Sequence, residues 1–187
     1  YGIMSKHLTK SDEMNRTLAL SHAKRSVYKG FFSVEEHDLT YQKFNNEQSN
    51  VVTRSTLVSS DAVIVLPYDP VNDRILLIEQ FRAGPYVKGD ENPWVLEPIA
   101  GLIDEEETPE SAGIREAQEE AHLKIKRLEL VARSYPSPGI STEFFHQYLG
   151  IVELLDSSNL IAGLSSENED IRSCLLYTSD AADDQAC

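Results

Sequence analysis

Three glutamates with helical spacing are the residues of this sequence best suited to chemistry. Glu116, Glu119 and Glu120 stand at positions i, i+3 and i+4, and at about 100° per residue they share one narrow helix face. Carboxylate oxygens gathered in this way suit Mg²⁺, which usually keeps several waters and bridges to a substrate phosphate. A solvated acidic face has the same spacing and is the commoner case.

The residues around these glutamates favour the metal site. The other faces of the same helix carry small or apolar side chains, namely Ala112, Ile114, Ala117 and Ala121. A glycine turn at Ala100–Asp104 precedes the helix and is expected to bring backbone carbonyls close to it. The sequence therefore predicts that carboxylates and carbonyls form a divalent-cation site.

The helix that carries the glutamates has a clear start signal. Thr108 is placed as its N-cap and Pro109 at its first position, with acidic residues in the first turn. We expect the helix to run from Pro109 to about His122.

Strands are expected on both sides of this helix, with Ala83–Pro93 as a polar loop. The expected strands are Ala62–Leu66, Arg74–Phe81, Trp94–Ile99, Ile125–Tyr135, Glu143–Val152 and a last one near Ile171. Strands surrounding an embedded helix predict an α/β fold with a mixed sheet.

A separate small sheet is expected at residues 21–58, after a loose polar arm at residues 1–20. Its strands are placed at Ser26–Val34, His37–Phe44 and Val51–Val58. Three such strands bury little apolar surface by themselves, so we expect the sheet to dock on a partner, with a second copy of the chain as a candidate.

The composition limits the classes of function. The chain has 187 residues and a formal net charge of -14, which argues against sequence-independent binding to nucleic acid. No apolar run reaches the roughly 20 residues of a membrane helix, and the start lacks a signal-peptide pattern. We therefore expect no membrane partner and a cytoplasmic location.

The segment at residues 174–187 resembles the in-frame translation of a sequencing adaptor. It is expected to be non-native, so that the natural protein would continue beyond Ser173. Leu175, Leu176 and Tyr177 suit a half-buried strand and could extend one that begins at Ile171.

Deleting Ser179–Cys187 is expected to leave the melting temperature and the activity unchanged. Ser179–Ala186 contains only three alanines as apolar residues, too little surface to offset roughly 1–2 kcal/mol of backbone entropy per residue. Thermal unfolding of the full and shortened chains tests this. Marked destabilisation of the shortened chain would show that the segment is native structure.

The segment Gly101–Leu123 resembles the Nudix box, Gx5Ex7REUxEExGU, in which U is apolar. Every specified position agrees except one, because His122 stands where the family has glycine. That helix end usually needs a left-handed residue, so histidine should cost up to about 1–2 kcal/mol there.

The resemblance continues outside the box to the bacterial ADP-ribose pyrophosphatases of that family. The similar segments are Tyr28–Phe32, Leu66–Pro70, Ile78–Arg82, Trp94–Gly101, Ser137–Gly139 with Glu143, and Glu167–Ile171. It implies a Nudix-type α/β/α sandwich with a mixed sheet at residues 59–173, preceded by the small antiparallel sheet. It also implies hydrolysis of the diphosphate of ADP-ribose to AMP and ribose 5-phosphate with Mg²⁺, or alternatively Mn²⁺.

The same resemblance implies roles for individual residues. The metal ligands would be the Ala100 carbonyl, Glu116, Glu120 and Glu169, with Glu119 as an outer or additional ligand, and Glu167 would activate the attacking water. The substrate would contact Phe31, Arg54, Arg82, Leu102, Ser137, Pro138, Gly139 and Glu143. Phe31 and Arg54 would reach it from the second subunit of a homodimer. Arg115 is expected to be structural and to pair with Glu107.

Alternatives remain at this point. Another nucleoside diphosphate sugar, such as GDP-mannose, would require the same box, because the box holds metal and phosphate only. A non-catalytic ADP-ribose-binding module would not need the full glutamate set. Arg82 could also be an ordinary surface residue, Phe31 plain sheet core, and Glu167–Asp170 a solvated loop.

Overall fold

The computed structural model describes residues 18–155, 161–164 and 169–177, in two compact units. The first unit is Tyr1–Ser59 with Ser137–Thr142, and the second is Ser60–Pro136 with Glu143–Cys187. Most of the expected N-terminal arm lies outside the described residues. Its end was placed too late, because the first strand already begins at Ala19.

The first unit contains a three-stranded antiparallel sheet in the order β1-β2-β3. Its strands are β1 (Ala19–Lys29), β2 (Ser33–Tyr41) and β3 (Val52–Val58). The expected strand Ser26–Val34 was wrong, because the chain turns at Gly30, whose backbone N donates to the Phe32 carbonyl (3.0 Å). A Cβ added at Gly30 would overlap the outer atoms of the Tyr28 ring, so a side chain there would displace that ring.

The loop Ser137–Thr142 adds to the edge of this sheet. Leu57 donates from its backbone N to the Ile140 carbonyl (2.7 Å), and Thr142 donates to the Leu57 carbonyl (2.9 Å). The loop lies within residues 59–173, the range expected for the larger domain. In the structure its backbone hydrogen bonds join it to the N-terminal sheet instead.

The second unit contains an eight-stranded sheet in the order β10-β11-β5-β4-β9-β8, with β6 on β5 and β7 on β4. Its strands are β4 (Ala62–Asp69), β5 (Arg74–Phe81), β6 (Trp94–Glu97), β7 (Ile99–Leu102), β8 (Arg127–Ser134), β9 (Phe145–Ile151), β10 (Ile161–Ala162) and β11 (Ile171–Tyr177). Because β4 and β9 are parallel while the other pairs are antiparallel, the predicted mixed sheet is confirmed.

Helix α2 (Pro109–Ala121) packs on this sheet through small residues. Ala112, Ala117 and Ala121 are buried as expected, whereas Ile114 is 50% exposed. Gly113 was not singled out from the sequence, yet a Cβ there would lie 3.0 Å from a Val65 methyl carbon. The close approach of helix and sheet therefore depends on this glycine as well as on the alanines.

Helix α2 begins and ends where the sequence predicted, with Thr108 as the N-cap and His122 as the C-cap. Thr108 caps the helix by accepting from the Ser111 backbone N (3.1 Å), and the Ser111 side chain accepts in return from the Thr108 backbone N. His122 adopts the left-handed conformation, with φ 53° and ψ 29°. The expected strain at this position is thus present in the backbone.

His122→Gly is expected to stabilise the protein by about 1 kcal/mol, because glycine adopts a positive φ without steric cost. Chemical denaturation measures the change in unfolding free energy. Asn46→Gly is the matched control, since Asn46 also has a positive φ (65°) but asparagine tolerates it better. A gain at His122 no larger than that at Asn46 would contradict the explanation.

Two further segments differ from the expectation. Ala83–Lys88 forms a short helix, α1, inside the expected loop, and it ends at Gly89 in the left-handed conformation. Strand β11 continues past Ser173 to Tyr177, and the Cys174 side chain is buried. Residues 178–187 lie outside the described residues, so the expectation for the rest of this segment stays a prediction.

No helix in the described part of the chain is long and apolar enough to cross a membrane. The cytoplasmic location stays a prediction.

Candidate active site

Two glutamates of α2, Glu116 and Glu120, lie against the backbone of β7. Glu120 is only 3% exposed, and one of its carboxylate oxygens accepts a hydrogen bond from the Ala100 backbone N (3.1 Å). Glu116 lies so close to Gly101 that an added Cβ would be 1.7 Å from a Glu116 carboxylate oxygen. The expected proximity of this segment to the helix is therefore confirmed, although Ile99–Leu102 is a strand and not the expected glycine turn. A side chain at position 101 would displace the Glu116 carboxylate.

Burial dominates the electrostatics of this site. It raises the pKa of Glu120 to about 8, with a further contribution from the carboxylates of Glu116 and Glu169 and an opposing one from the Ala100 N–H. Burial also raises the pKa of Glu116, to which Glu119 and Glu169 add. Neighbouring carboxylates disfavour each other's ionisation. A divalent cation between them stabilises the ionised forms and so reverses this effect.

Arg115 joins the loop before the helix to the helix itself. Its guanidinium donates to both Glu107 oxygens (2.9 and 2.8 Å), to Glu116 (2.6 Å), to Glu119 (3.0 Å) and to the Leu102 carbonyl (3.1 Å). The predicted pairing with Glu107 is confirmed. Hydrogen bonds from Arg115 lower the pKa of Glu107 to about 2.

The chemistry of this donor set fits a hard divalent cation, although no three His, Cys, Asp or Glu side chains in the described part of the chain converge tightly enough to enclose one. Glu116 and Glu119 are bonded to Arg115. Glu169 accepts from the Leu164 backbone N (3.0 Å). These carboxylates would have to exchange their present partners for a metal.

Glu167, the expected general base, lies outside the described residues. Its role stays a prediction.

Arg82 is fixed at the end of β5 by a carboxylate from β6. Its Nε and Nη2 both contact Glu97 Oε1 (2.7 and 2.6 Å), which also accepts from Gln80 Nε2 (3.0 Å). Arg82 also lies near enough to Glu120 to oppose the rise of its pKa. The role of Arg82 in substrate binding stays a prediction. Sequence reasoning missed Glu97 and Gln80, although both stand in segments similar to the family.

The remaining expected substrate contacts are divided between the units. Arg82, Leu102 and Glu143 lie in the second unit, and burial raises the pKa of Glu143. The first unit contains the others, namely Phe31, Arg54, Ser137, Pro138 and Gly139. Phe31 is 91% exposed within the single chain, so the alternative that it belongs to the sheet core is wrong.

Comparison with known proteins finds relatives that are named as pyrophosphatases. The ADP-ribose pyrophosphatase of Escherichia coli (strain K12) is 41% identical over 150 residues, which cover 80% of this chain and 71% of the relative. The ADP-ribose pyrophosphatase of Haemophilus influenzae is 37% identical over 150 residues, covering 79% and 69%. A GDP-mannose pyrophosphatase of Escherichia coli (strain SMS-3-5) is 32% identical over 137 residues, covering 72% and 70%.

A solved structure described as an ADP compounds hydrolase shares the fold. It covers 89% of this chain and 83% of its own length with a TM-score of 0.64 and 20% identity. The NUDIX domain family matches residues 58–185, a range that includes β7, α2 and all three of its glutamates. The chain belongs to the Nudix family of hydrolases.

Proposed function

We propose that this protein hydrolyses the diphosphate of ADP-ribose to AMP and ribose 5-phosphate. The observation that carries the proposal is the placement of two α2 carboxylates against β7: Glu120 is almost fully buried and accepts from the Ala100 backbone N, and Glu116 lies beside Gly101. The choice of substrate is supported by identities of 41% and 37% to ADP-ribose pyrophosphatases, against 32% to a GDP-mannose pyrophosphatase.

The proposed metal is Mg²⁺, with Mn²⁺ as an alternative. Its ligands would be the Ala100 carbonyl and the carboxylates of Glu116, Glu120 and Glu169, with Glu119 as an outer or additional ligand. Bound there, a divalent cation neutralises diphosphate charge and lowers the pKa of a water. Gly101 contributes by leaving Glu116 room beside the backbone.

The reaction is a displacement at phosphorus. The water oxygen bonds to one phosphorus, the bond from that phosphorus to the bridging oxygen breaks, and the bridging oxygen leaves on the other phosphate. The water proton would pass to Glu167, the proposed general base. Arg82, oriented by Glu97, would offset the charge of the diphosphate, and Glu143 would contact the ribose end.

We also propose a homodimer formed through the sheet of the first unit. Leu20, Val27 and Tyr28 are more than half exposed within the single chain. Exposure of several apolar side chains on one sheet is unfavourable in water and is typical of an interface between subunits. Phe31 and Arg54 would then reach the substrate of the partner. We expect sedimentation to give a dimer at micromolar concentration. A monomer under those conditions would contradict both the dimer and these two roles.

A panel of nucleoside diphosphate sugars tests the substrate. Phosphatase added to the reaction releases phosphate from the monoester products but not from the intact diphosphate, so phosphate reports cleavage. We expect the highest kcat/KM for ADP-ribose in Mg²⁺. A preference for GDP-mannose would overturn the substrate, and tight binding of ADP-ribose without cleavage would identify a binding module.

A further inference from the structure

We propose that Gly163 is a positioning residue, which seats Glu169 against helix α2 beside Glu116 and Glu120. The inference rests on the metal site proposed above. Gly163 follows strand β10 and has a φ of +104°. Residues with a side chain rarely adopt this backbone conformation, whereas glycine adopts it freely. The chain therefore takes a path here that favours glycine.

The space around Gly163 imposes a second requirement. An added Cβ would lie 2.7 Å from the Glu169 Cβ, 3.2 Å from its carbonyl carbon and 3.3 Å from its carbonyl oxygen. All three atoms belong to the backbone or to its first side-chain carbon. They cannot swing aside as the tip of a flexible side chain would, so a side chain at position 163 must displace Glu169 itself.

Gly163 also touches the helix that carries the other carboxylates. Its backbone N donates to the Glu119 carbonyl of α2 (3.3 Å). On the opposite side, Leu164 donates to the Glu169 carboxylate (3.0 Å), and the Glu169 N donates to the Leu164 carbonyl (3.3 Å). Gly163 thus forms a hydrogen bond with the helix and also packs against Glu169, so a side chain at this position would change the distance between Glu169 and the helix.

The separation matters because Glu116 and Glu120 lie on the same helix as the Glu119 carbonyl that Gly163 contacts. Moving Glu169 away from the helix would leave the other two in place but remove one proposed ligand. We therefore expect a side chain at position 163 to weaken metal binding more than it weakens the fold.

Gly163→Ala and Gly89→Ala form a matched pair. Gly89 has a similar left-handed conformation, with φ +90°, but a Cβ there would meet nothing within 4 Å. Both variants carry the backbone strain, and only Gly163→Ala displaces Glu169. The measurements are the dissociation constant for Mn²⁺ alone, from the electron paramagnetic resonance signal of the free ion, and the metal-free melting temperature.

We expect both variants to lose melting temperature through the backbone strain, and Gly163→Ala to lose more because its Cβ also displaces Glu169. Gly163→Ala should bind Mn²⁺ at least about tenfold more weakly, which corresponds to roughly 1.4 kcal/mol, while Gly89→Ala should bind it like the parent. If Gly163→Ala does not fold, Gly163→Asn replaces it in the Mn²⁺ measurement, because asparagine tolerates a positive φ but still has a Cβ. In a Glu169→Ala background, Gly163→Ala should cause no further loss of Mn²⁺ affinity.

Two failures are distinguishable. Parental binding of Mn²⁺ that persists in both Gly163 variants would overturn the role of Gly163 and leave the metal site standing. A parent that binds no Mn²⁺ would overturn the metal site and this inference with it.

Discussion

Glu120→Gln is expected to abolish turnover while the fold survives. Glutamine keeps the shape of the side chain in its buried position beside Ala100 but removes the charge that would hold a metal. Loss of metal-held charge stabilisation should raise the barrier by several kcal/mol and lower kcat by about a thousandfold or more. The kcat with ADP-ribose in saturating Mg²⁺ measures the effect, and circular dichroism monitors the fold.

Glu106→Gln is the matched control, because it removes the same charge from an exposed position in the loop before α2. Its kcat should stay within about twofold of the parent, since exposed charges in high dielectric act weakly. Turnover of Glu120→Gln within about tenfold of the parent would contradict the assignment of Glu120 as a metal ligand.

The metal-free protein is expected to lose stability as the pH rises from about 4.5 to about 8. Burial raises the pKa of Glu120 from 4.5 to about 8. Between these values the unfolded chain has released the proton and the folded protein still holds it, so the free energy of unfolding falls. The slope is roughly 1.4 kcal/mol per pH unit for a single group with such a shift.

Urea denaturation of the EDTA-treated protein at about pH 5 and about pH 8 measures this loss. Glu120→Gln should be much less sensitive to pH over that range, because glutamine does not titrate. Mg²⁺ added at about pH 8 should restabilise the parent more than the variant, since it binds the charged form. Equal pH dependence of parent and variant would show that Glu120 is not the group responsible.

Glu107 provides an internal check at acid pH. Its pKa is lowered to about 2 by Arg115, so its contribution to stability is present above about 4.5 and is lost as the pH falls towards 2. From the titration of Glu107 and Glu120 together, the free energy of unfolding of the metal-free parent should be largest near about pH 4.5 to 5.

The helix could be predicted because its signals are local. Thr108, Pro109 and the spacing of the glutamates lie within a few residues of each other, and short-range hydrogen bonds decide the start of a helix. The strain at His122 could be predicted for the same reason. By contrast, the burial of Glu120 depends on its packing against β7, and the spacing of the glutamates in the sequence does not predict that contact.

The features that were not predicted depend on contacts between residues distant in sequence, or on residues with low helix or strand propensity. Val27–Phe32 is rich in strand-forming residues, and the single glycine within it decided the turn. Helix α1 contains Gly84 and Pro85, which make its sequence look like a loop. Glu97 could not be recognised as the partner of Arg82, because the pairing of β5 with β6 brings them together.

Product analysis tests the central claim most directly. ADP-ribose is incubated with the parent protein in Mg²⁺, with the parent in EDTA, and with Glu120→Gln in Mg²⁺, and the products are separated and quantified. We predict AMP and ribose 5-phosphate in equal amounts from the parent in Mg²⁺, and neither above background in the other two reactions. Intact ADP-ribose after incubation with the parent in Mg²⁺, or equal product formation in EDTA, would contradict the account.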